Sequence, residues 1–192
     1  MRHKPSLTYS GLTIVLSNPS RFDQYELISG VAGHYMWTEC ICNIDRKSID
    51  IRTADTINLD LLPNTKALLL LGEKAFKDWS IGYSDYSLNE QRGSPLENRW
   101  KIPCIASYLP QDAMDIVDYE KKLNPLANHE DEEQENDEDE TEFETKRKNK
   151  TKRSNYRFWL KKDTEKIYRA TTKDFVLSNI QAGHLDVRLA PP

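Results

Sequence analysis

The chain is poor in the residues that build metal centres and disulfide frameworks. It has three cysteines, Cys40, Cys42 and Cys104, and four histidines among 192 residues. Cys40 and Cys42 are too close for a usual zinc knuckle and lack a second pair of ligands, and the histidines are scattered. We therefore expect no metal ion, no other cofactor and reduced thiols.

Long apolar segments are also missing. No run approaches the roughly 20 apolar residues that a membrane span requires. The first four residues, Met1-Arg-His-Lys4, carry positive charge, but no apolar segment of the kind found in a secretory signal follows them. The expected protein is soluble and cytoplasmic, and it has no membrane partner.

Charge is abundant and unevenly spread, with two dense blocks of opposite sign. Residues 130–144 contain 11 acidic side chains, and residues 146–153 contain six basic ones. Without the acidic block the formal charge would change from −4 to +7, so the remainder of the chain is cationic and suits a polyanionic partner. The simpler explanation of the acidic block is a solvated, disordered insertion.

Short apolar segments that end in polar turns dominate the rest of the sequence. Residues 12–17 and 66–71 have the pattern of buried strands, residues 102–107 form the next strand, and residues 49–53 are a weaker candidate. A helix is predicted at residues 73–79, directly after a strand, as in βα units. These elements predict an α/β fold with a mostly parallel central sheet. The loops that follow the strands at residues 12–17 and 102–107 should face one shared crevice, because ligands bind at the carboxyl ends of strands in such sheets.

The order of the later elements predicts a single interrupted domain. Helices are expected at residues 112–123 and 155–170, and the second has a regular apolar face that indicates core packing. The charged insertion at about residues 128–153, expected to be disordered, therefore interrupts one domain of residues 1–170.

The C-terminal residues 171–192 are expected to form a tail or linker. One short element is possible near residues 175–180. The final Ala190-Pro-Pro192 has the composition of an extended spacer.

Taken in chain order, several segments resemble motifs of the uracil-DNA glycosylase superfamily, specifically the glycosylase-like domain at the N-terminus of some phage DNA polymerases. The resemblance covers residues 12–170 and depends on the order of the motifs, since no single motif is specific. The segments are Leu16-Ser-Asn-Pro-Ser20, Gly30-Val-Ala-Gly33, Leu69-Leu-Leu-Gly-Glu-Lys-Ala75, Arg92-Gly93, Ser107-Tyr-Leu-Pro-Gln111 and the helix that opens with Asn155-Tyr-Arg-Phe-Trp-Leu160.

This resemblance implies a three-layer α/β sandwich and an enzyme that flips a base from DNA and hydrolyses its N-glycosidic bond. Asn18 matches the residue that orients the attacking water, whereas Leu109 stands where the family has a histidine that stabilises the leaving base. Leucine donates no hydrogen bond, and loss of one such donor costs on the order of 100- to 1000-fold in rate. The substrate-binding residues implied by the resemblance are Ser17, Pro19, Ser20, Gly30, Gly33, Asn43, Arg92, Ser107 and Gln111.

The leading interpretation is a DNA-binding domain with weak or lost glycosylase activity that serves phage-type replication in the host cytoplasm. A DNA polymerase would be its partner, in the same chain or by contact. One alternative is an active uracil-DNA glycosylase that uses Asn18, and another is a protein-interaction module built on the acidic block. Asn18-Pro19 also suits an ordinary turn, and Arg92 is either a phosphate contact or a solvated loop charge.

Overall fold

A five-stranded sheet forms the centre of the molecule. Four of its strands are parallel, which confirms the α/β class, and a short strand adds antiparallel at one edge in the order β1-β3-β2-β4-β5. The strands are β1 (Arg2–His3), β2 (Leu12–Leu16), β3 (Asp50–Thr53), β4 (Ala67–Leu71) and β5 (Cys104–Ser107). This computed structural model describes residues 2–5, 8–17, 37, 44–113, 140–171, 175–179 and 185–189.

Four helices accompany the strands in these ranges, and none of them is long and apolar enough to cross a bilayer. They are α1 (Glu73–Trp79), α2 (Leu88–Gln91), α3 (Pro110–Ala113) and α4 (Glu140–Arg169). Two 3-10 helices, Arg46–Ser48 and Ala54–Asn58, flank β3. The bounds of α1 are those predicted. Only the start of the helix predicted at residues 112–123 lies among the described residues.

Helices cover both faces of the sheet. In β4 all five side chains are buried, which explains its uninterrupted apolar sequence. Leu69 and Leu71 belong to the core cluster that includes Leu160 and Ile167 of α4. The alternate residues of β4, on the opposite face, pack in the cluster that includes Phe76 and Trp79 of α1.

The charged segment and the tail differ from expectation. Helix α4 begins at Glu140, so residues 140–153 are helical rather than disordered. This stretch contains no glycine or proline and is rich in Glu, Lys and Arg, which favour helices, and Glu142 and Lys146 form an i,i+4 ion pair. In the tail, β6 (Phe175–Asn179) lies where a short element was expected, and it pairs antiparallel with β7 (Leu185–Leu189), which was not predicted.

Strand β3 contains buried charge, which explains why its sequence pattern is weak. Arg52 and Asp50 are fully buried and form an ion pair of 3.0 Å. The guanidinium group also donates to the carbonyl oxygens of Leu59 and Asp60, and Thr13 of the neighbouring strand donates to Asp50. The buried charges are therefore paired and hydrogen-bonded, as burial in a sheet requires.

A second buried ion pair joins α4 to the loop before β5. Arg92 Nη1 donates to both carboxylate oxygens of Asp163, at 2.8 and 2.9 Å, and the Ser107 hydroxyl donates to the same carboxylate at 2.7 Å. The arginine also stacks on Trp159, with its Cζ 4.0 Å from the ring centroid. A Cβ on Gly93 would lie 2.8 Å from Asp163 Oδ1, so the loop approaches the carboxylate too closely for any other residue. Burial raises the pKa of Asp163, while Arg92 and Ser107 oppose that shift.

Asp163→Asn should lower the free energy of unfolding by about 3–5 kcal/mol, because it leaves the buried Arg92 guanidinium without a carboxylate. The matched control is Asp78→Asn, which breaks the exposed pair Lys74–Asp78 and should cost less than about 1 kcal/mol. Urea unfolding monitored by tryptophan fluorescence measures both. Equal losses would show that the buried pair does not anchor α4.

Candidate functional site

The topology of the sheet creates a crevice at the carboxyl ends of β2 and β4. These two strands are neighbours, but the chain leaves β2 toward β3 on one side and leaves β4 toward β5 on the other. In open α/β sheets ligands bind at such a reversal of strand order. A cavity of about 710 Å³ lies at this place, which is large enough for a small molecule or a nucleotide. Ser17 and Leu109 both line it, so the prediction that the two strand exits share one crevice is confirmed.

Three strand ends converge on Gly72 at the floor of the crevice. The Ser17 N–H donates to the Leu71 carbonyl at 2.8 Å, and the Gly72 N–H donates to the Ser107 carbonyl at 3.0 Å. Gly72 has φ +90°, and a Cβ there would collide with Ser17 Oγ and would lie 2.9 Å from Leu109 Cγ. The side chains of Ser17 and Leu109 therefore leave no room for a side chain at position 72.

Ser17 is tied to the start of α1. Its hydroxyl accepts a hydrogen bond of 3.0 Å from the Ala75 N–H. Gly72 occupies the N-cap position of α1 and has no side chain to cap the helix, so Ser17 satisfies one of the amide groups that a capping side chain normally satisfies. This side chain is 6% exposed, and its local role is to cap α1.

Aromatic and amide side chains form one wall. The rings of Tyr108 and Tyr156 lie 4.1 Å apart between centroids, inclined at 39°, and the Lys152 ammonium lies 5.6 Å from the centroid of Tyr156. The Tyr108 hydroxyl donates to Asn89 Oδ1 at 2.8 Å, and burial raises the pKa of Tyr108. Asn149 of α4 completes this side of the crevice. The wall offers aromatic surface, amide groups and a cation.

Opposite charges meet at the mouth. Lys74 and Glu73 line it from the first turn of α1, where each also pairs along the helix, Lys74 with Asp78 and Glu73 with Lys77. Asp112 lines it from α3, and burial raises the pKa of this carboxyl while Lys152 opposes the shift. An anionic group that enters the crevice therefore meets Lys152 and must tolerate these two carboxylates.

The predicted site residues fall into three groups. Ser17 and Leu109 lie in the crevice, and their part in ligand binding stays a prediction. Arg92 and Ser107 belong to the buried network around Asp163, so the interpretation of Arg92 as a solvated loop charge is wrong: the residue is 6% exposed and ion-paired. Six of the remaining residues lie outside the described part of the chain: Asn18, Pro19, Ser20, Gly30, Gly33 and Asn43. The backbone of Gln111 lies in α3, but its side chain is outside the described part.

Several lining residues were missed by sequence reasoning. Tyr108 precedes Leu109 in the motif segment Ser107-Tyr-Leu-Pro-Gln111, so its position in the crevice could have been predicted from the sequence. Lys152 and Asn149 belong to the stretch expected to be disordered, and only the early start of α4 brings them to the crevice. Tyr156 belongs to the helix predicted at residues 155–170, whose apolar face was expected to pack in the core. It lies at the end of that face, where the core meets the crevice.

The described side chains that line the crevice include no histidine, and Leu109 offers no donor for a developing negative charge. The hydroxyls of Ser17 and Tyr108 are already hydrogen-bonded. Across the described ranges, no group of three or more His, Cys, Asp or Glu side chains is placed to hold a metal ion.

Neither protein-family models nor curated proteins match this chain.

Gly72→Ala should destabilise the protein more than Gly82→Ala does. Both glycines have almost the same positive φ, +90° and +88°, but a Cβ at Gly82 meets nothing within 4 Å. The control should therefore show backbone strain alone, about 1–3 kcal/mol, and Gly72→Ala should add about 1–3 kcal/mol for overpacking. Urea unfolding of both variants checks this. An equal loss would mean that the floor can accept a methyl group.

Proposed function

We propose that this chain is a DNA-binding domain with a three-layer, uracil-DNA-glycosylase-like architecture and weak or lost glycosylase activity. The observation that carries the proposal is the meeting of Ser17 and Leu109 over Gly72 at the floor of the crevice. These residues belong to the two segments that resemble the family's first and second motifs. Their proximity is what a common site would require.

The layers and the walls of the crevice support the same proposal. Helices α1 and α4 pack on opposite faces of the parallel sheet, as a three-layer sandwich requires. Tyr108 and Tyr156 supply aromatic surface on which a base can stack, and Lys152 supplies a charge for a phosphate group.

Loss of catalytic power follows from the identity of Leu109. A base that departs as an anion needs a donor at its developing charge, and leucine supplies none. A DNA-binding crevice without such a donor holds its ligand without cleaving it efficiently. We therefore propose a binding role in DNA replication rather than a repair role.

Binding is tested with a fluorescein-labelled single-stranded 20-mer that contains uracil, by anisotropy over a salt series. Lys152→Ala should weaken binding and reduce the magnitude of the slope of log K against log salt concentration by about 0.7, the value for one phosphate contact on a single strand. The control is Lys47→Ala. Lys47 is exposed in the 3-10 helix that precedes β3, so it lies at the amino ends of the parallel strands, whereas the crevice lies at their carboxyl ends. If both variants bind like the wild type, the crevice is not the DNA site.

Uracil release from the same oligonucleotide should be negligible for the wild type, because Leu109 cannot donate to the leaving base. Alkaline cleavage followed by gel electrophoresis measures it. Leu109→His should raise any residual activity, and Leu109→Met is the matched control that changes size little and adds no strong donor. Rapid release by the wild type would contradict the proposal and favour an active glycosylase.

The resemblance also supports a DNA polymerase as the partner. We expect the domain to change primer extension, or stalling at uracil, when it is added to or removed from its cognate polymerase. Co-purification and extension assays with and without the domain measure this effect. A domain that neither binds the polymerase nor alters extension would remove replication from the proposal and leave DNA binding to be judged by the anisotropy assay.

A further inference from the structure

The first part of α4 is exposed to solvent and reaches the body of the protein only near its end, where Asn149 lines the crevice. The helix has 30 residues and is therefore about 45 Å long at 1.5 Å per residue. Its later residues Leu160, Asp163 and Ile167 are buried against the sheet, whereas every residue from 141 to 150 is exposed. We call residues 141–150 the arm.

The second half of the arm carries cations on more than one side, whereas Glu142 and Glu144 lie in its first half. Lys148 and Lys150 are exposed, and Lys146 already pairs with Glu142. Successive residues in a helix are about 100° apart, so Lys148 and Lys150 project from nearly opposite sides. A helix that rests on a flat anionic surface uses cations on one face only. Cations on opposite faces suit a groove that has phosphates on both sides.

The dimensions fit such a groove. An α-helix with its side chains is about 10–12 Å across, and the major groove of B-DNA is about 12 Å wide and admits an α-helix. The arm is also continuous with the crevice, because Asn149 and Lys152 of the same helix line the cavity. DNA held in the crevice would therefore extend along the arm.

We propose that the arm lies in the major groove of duplex DNA that flanks the crevice, and that it contacts the phosphates of both strands through Lys148 and Lys150. This inference rests on the proposed DNA-binding function and adds a second contact surface, which holds duplex DNA beside the crevice. The contacts are to the backbone, so the arm selects duplex form and carries no sequence preference.

The test compares the full chain with its Lys148→Ala/Lys150→Ala variant. Alanine is the strongest helix former, so the variant keeps the helix while it removes two charges. The matched control is Lys47→Ala/Lys66→Ala, which removes two exposed lysines near the amino ends of the strands. Circular dichroism verifies equal helix content. The probes are a labelled random-sequence 20-bp duplex and the corresponding single strand, measured by anisotropy between 50 and 200 mM NaCl, a range in which backbone contacts differ strongly in strength.

We expect the arm variant to reduce the magnitude of the salt slope for the duplex by about 2, from two lost contacts at about 0.9 each, and to leave single-strand binding within twofold of the wild type. The control should match the wild type on both probes. An unchanged duplex slope, or equal weakening on both probes, would overturn the inference. So would loss of binding to phosphatidylserine vesicles with an unchanged duplex slope, since the arm would then be a membrane contact.

The two proposals fail in different ways. If Lys152→Ala weakens single-strand binding but the arm variant behaves like the wild type on the duplex, the crevice binds DNA and the arm does not. If the wild type binds neither probe at 50 mM NaCl, the DNA-binding proposal fails, and the arm inference fails with it.

Discussion

The contact of Arg92 and Ser107 with Asp163 fixes the long helix α4 on the sheet, and the candidate site depends on that position. The three residues come from distant parts of the chain, and the polar atoms of Arg92 and Ser107 lie within 2.9 Å of the Asp163 carboxylate oxygens. A buried ion pair of this kind adds little net stability compared with a well-packed apolar contact. Its role here is to position the helix. It sets which turn of α4 faces β5, and thereby where Tyr156 and Lys152 stand at the crevice.

One helix thus has three environments along its length. Its last turns pack in the core through Leu160 and Ile167, its middle turns line the crevice, and its first turns are solvated. The sequence changes in the same order, from a helix with regular apolar positions to a stretch, residues 141–150, in which six of ten side chains are charged. A solvated helix has no packing energy to hold it, so the favourable propensity of its residues and pairs such as Glu142–Lys146 must maintain it.

The sequence predicted what depends on local pattern. Strand β4 and helix α1 could be predicted because an unbroken apolar run and the helix directly after it are local signals in the sequence. The proximity of Ser17 and Leu109 could be predicted because the loops at the carboxyl ends of parallel strands meet at the same crevice. The partner of Arg92 could not be predicted, since Asp163 lies 71 positions away and no local pattern marks it. The helical state of residues 140–153 was missed because dense charge suggests disorder when helix propensity is not weighed against it.

Gly72 constrains how this site can vary. Because the side chains of Ser17 and Leu109 close around it, position 72 cannot gain a side chain that would reshape the floor of the crevice. On the sides, by contrast, three lining residues, Asn149, Lys152 and Tyr156, are carried by one helix, α4. Substitutions along a single helix could therefore give a series of related proteins with different ligands on one unaltered base. The same geometry makes α4 the natural element to randomise when a new binding preference is selected.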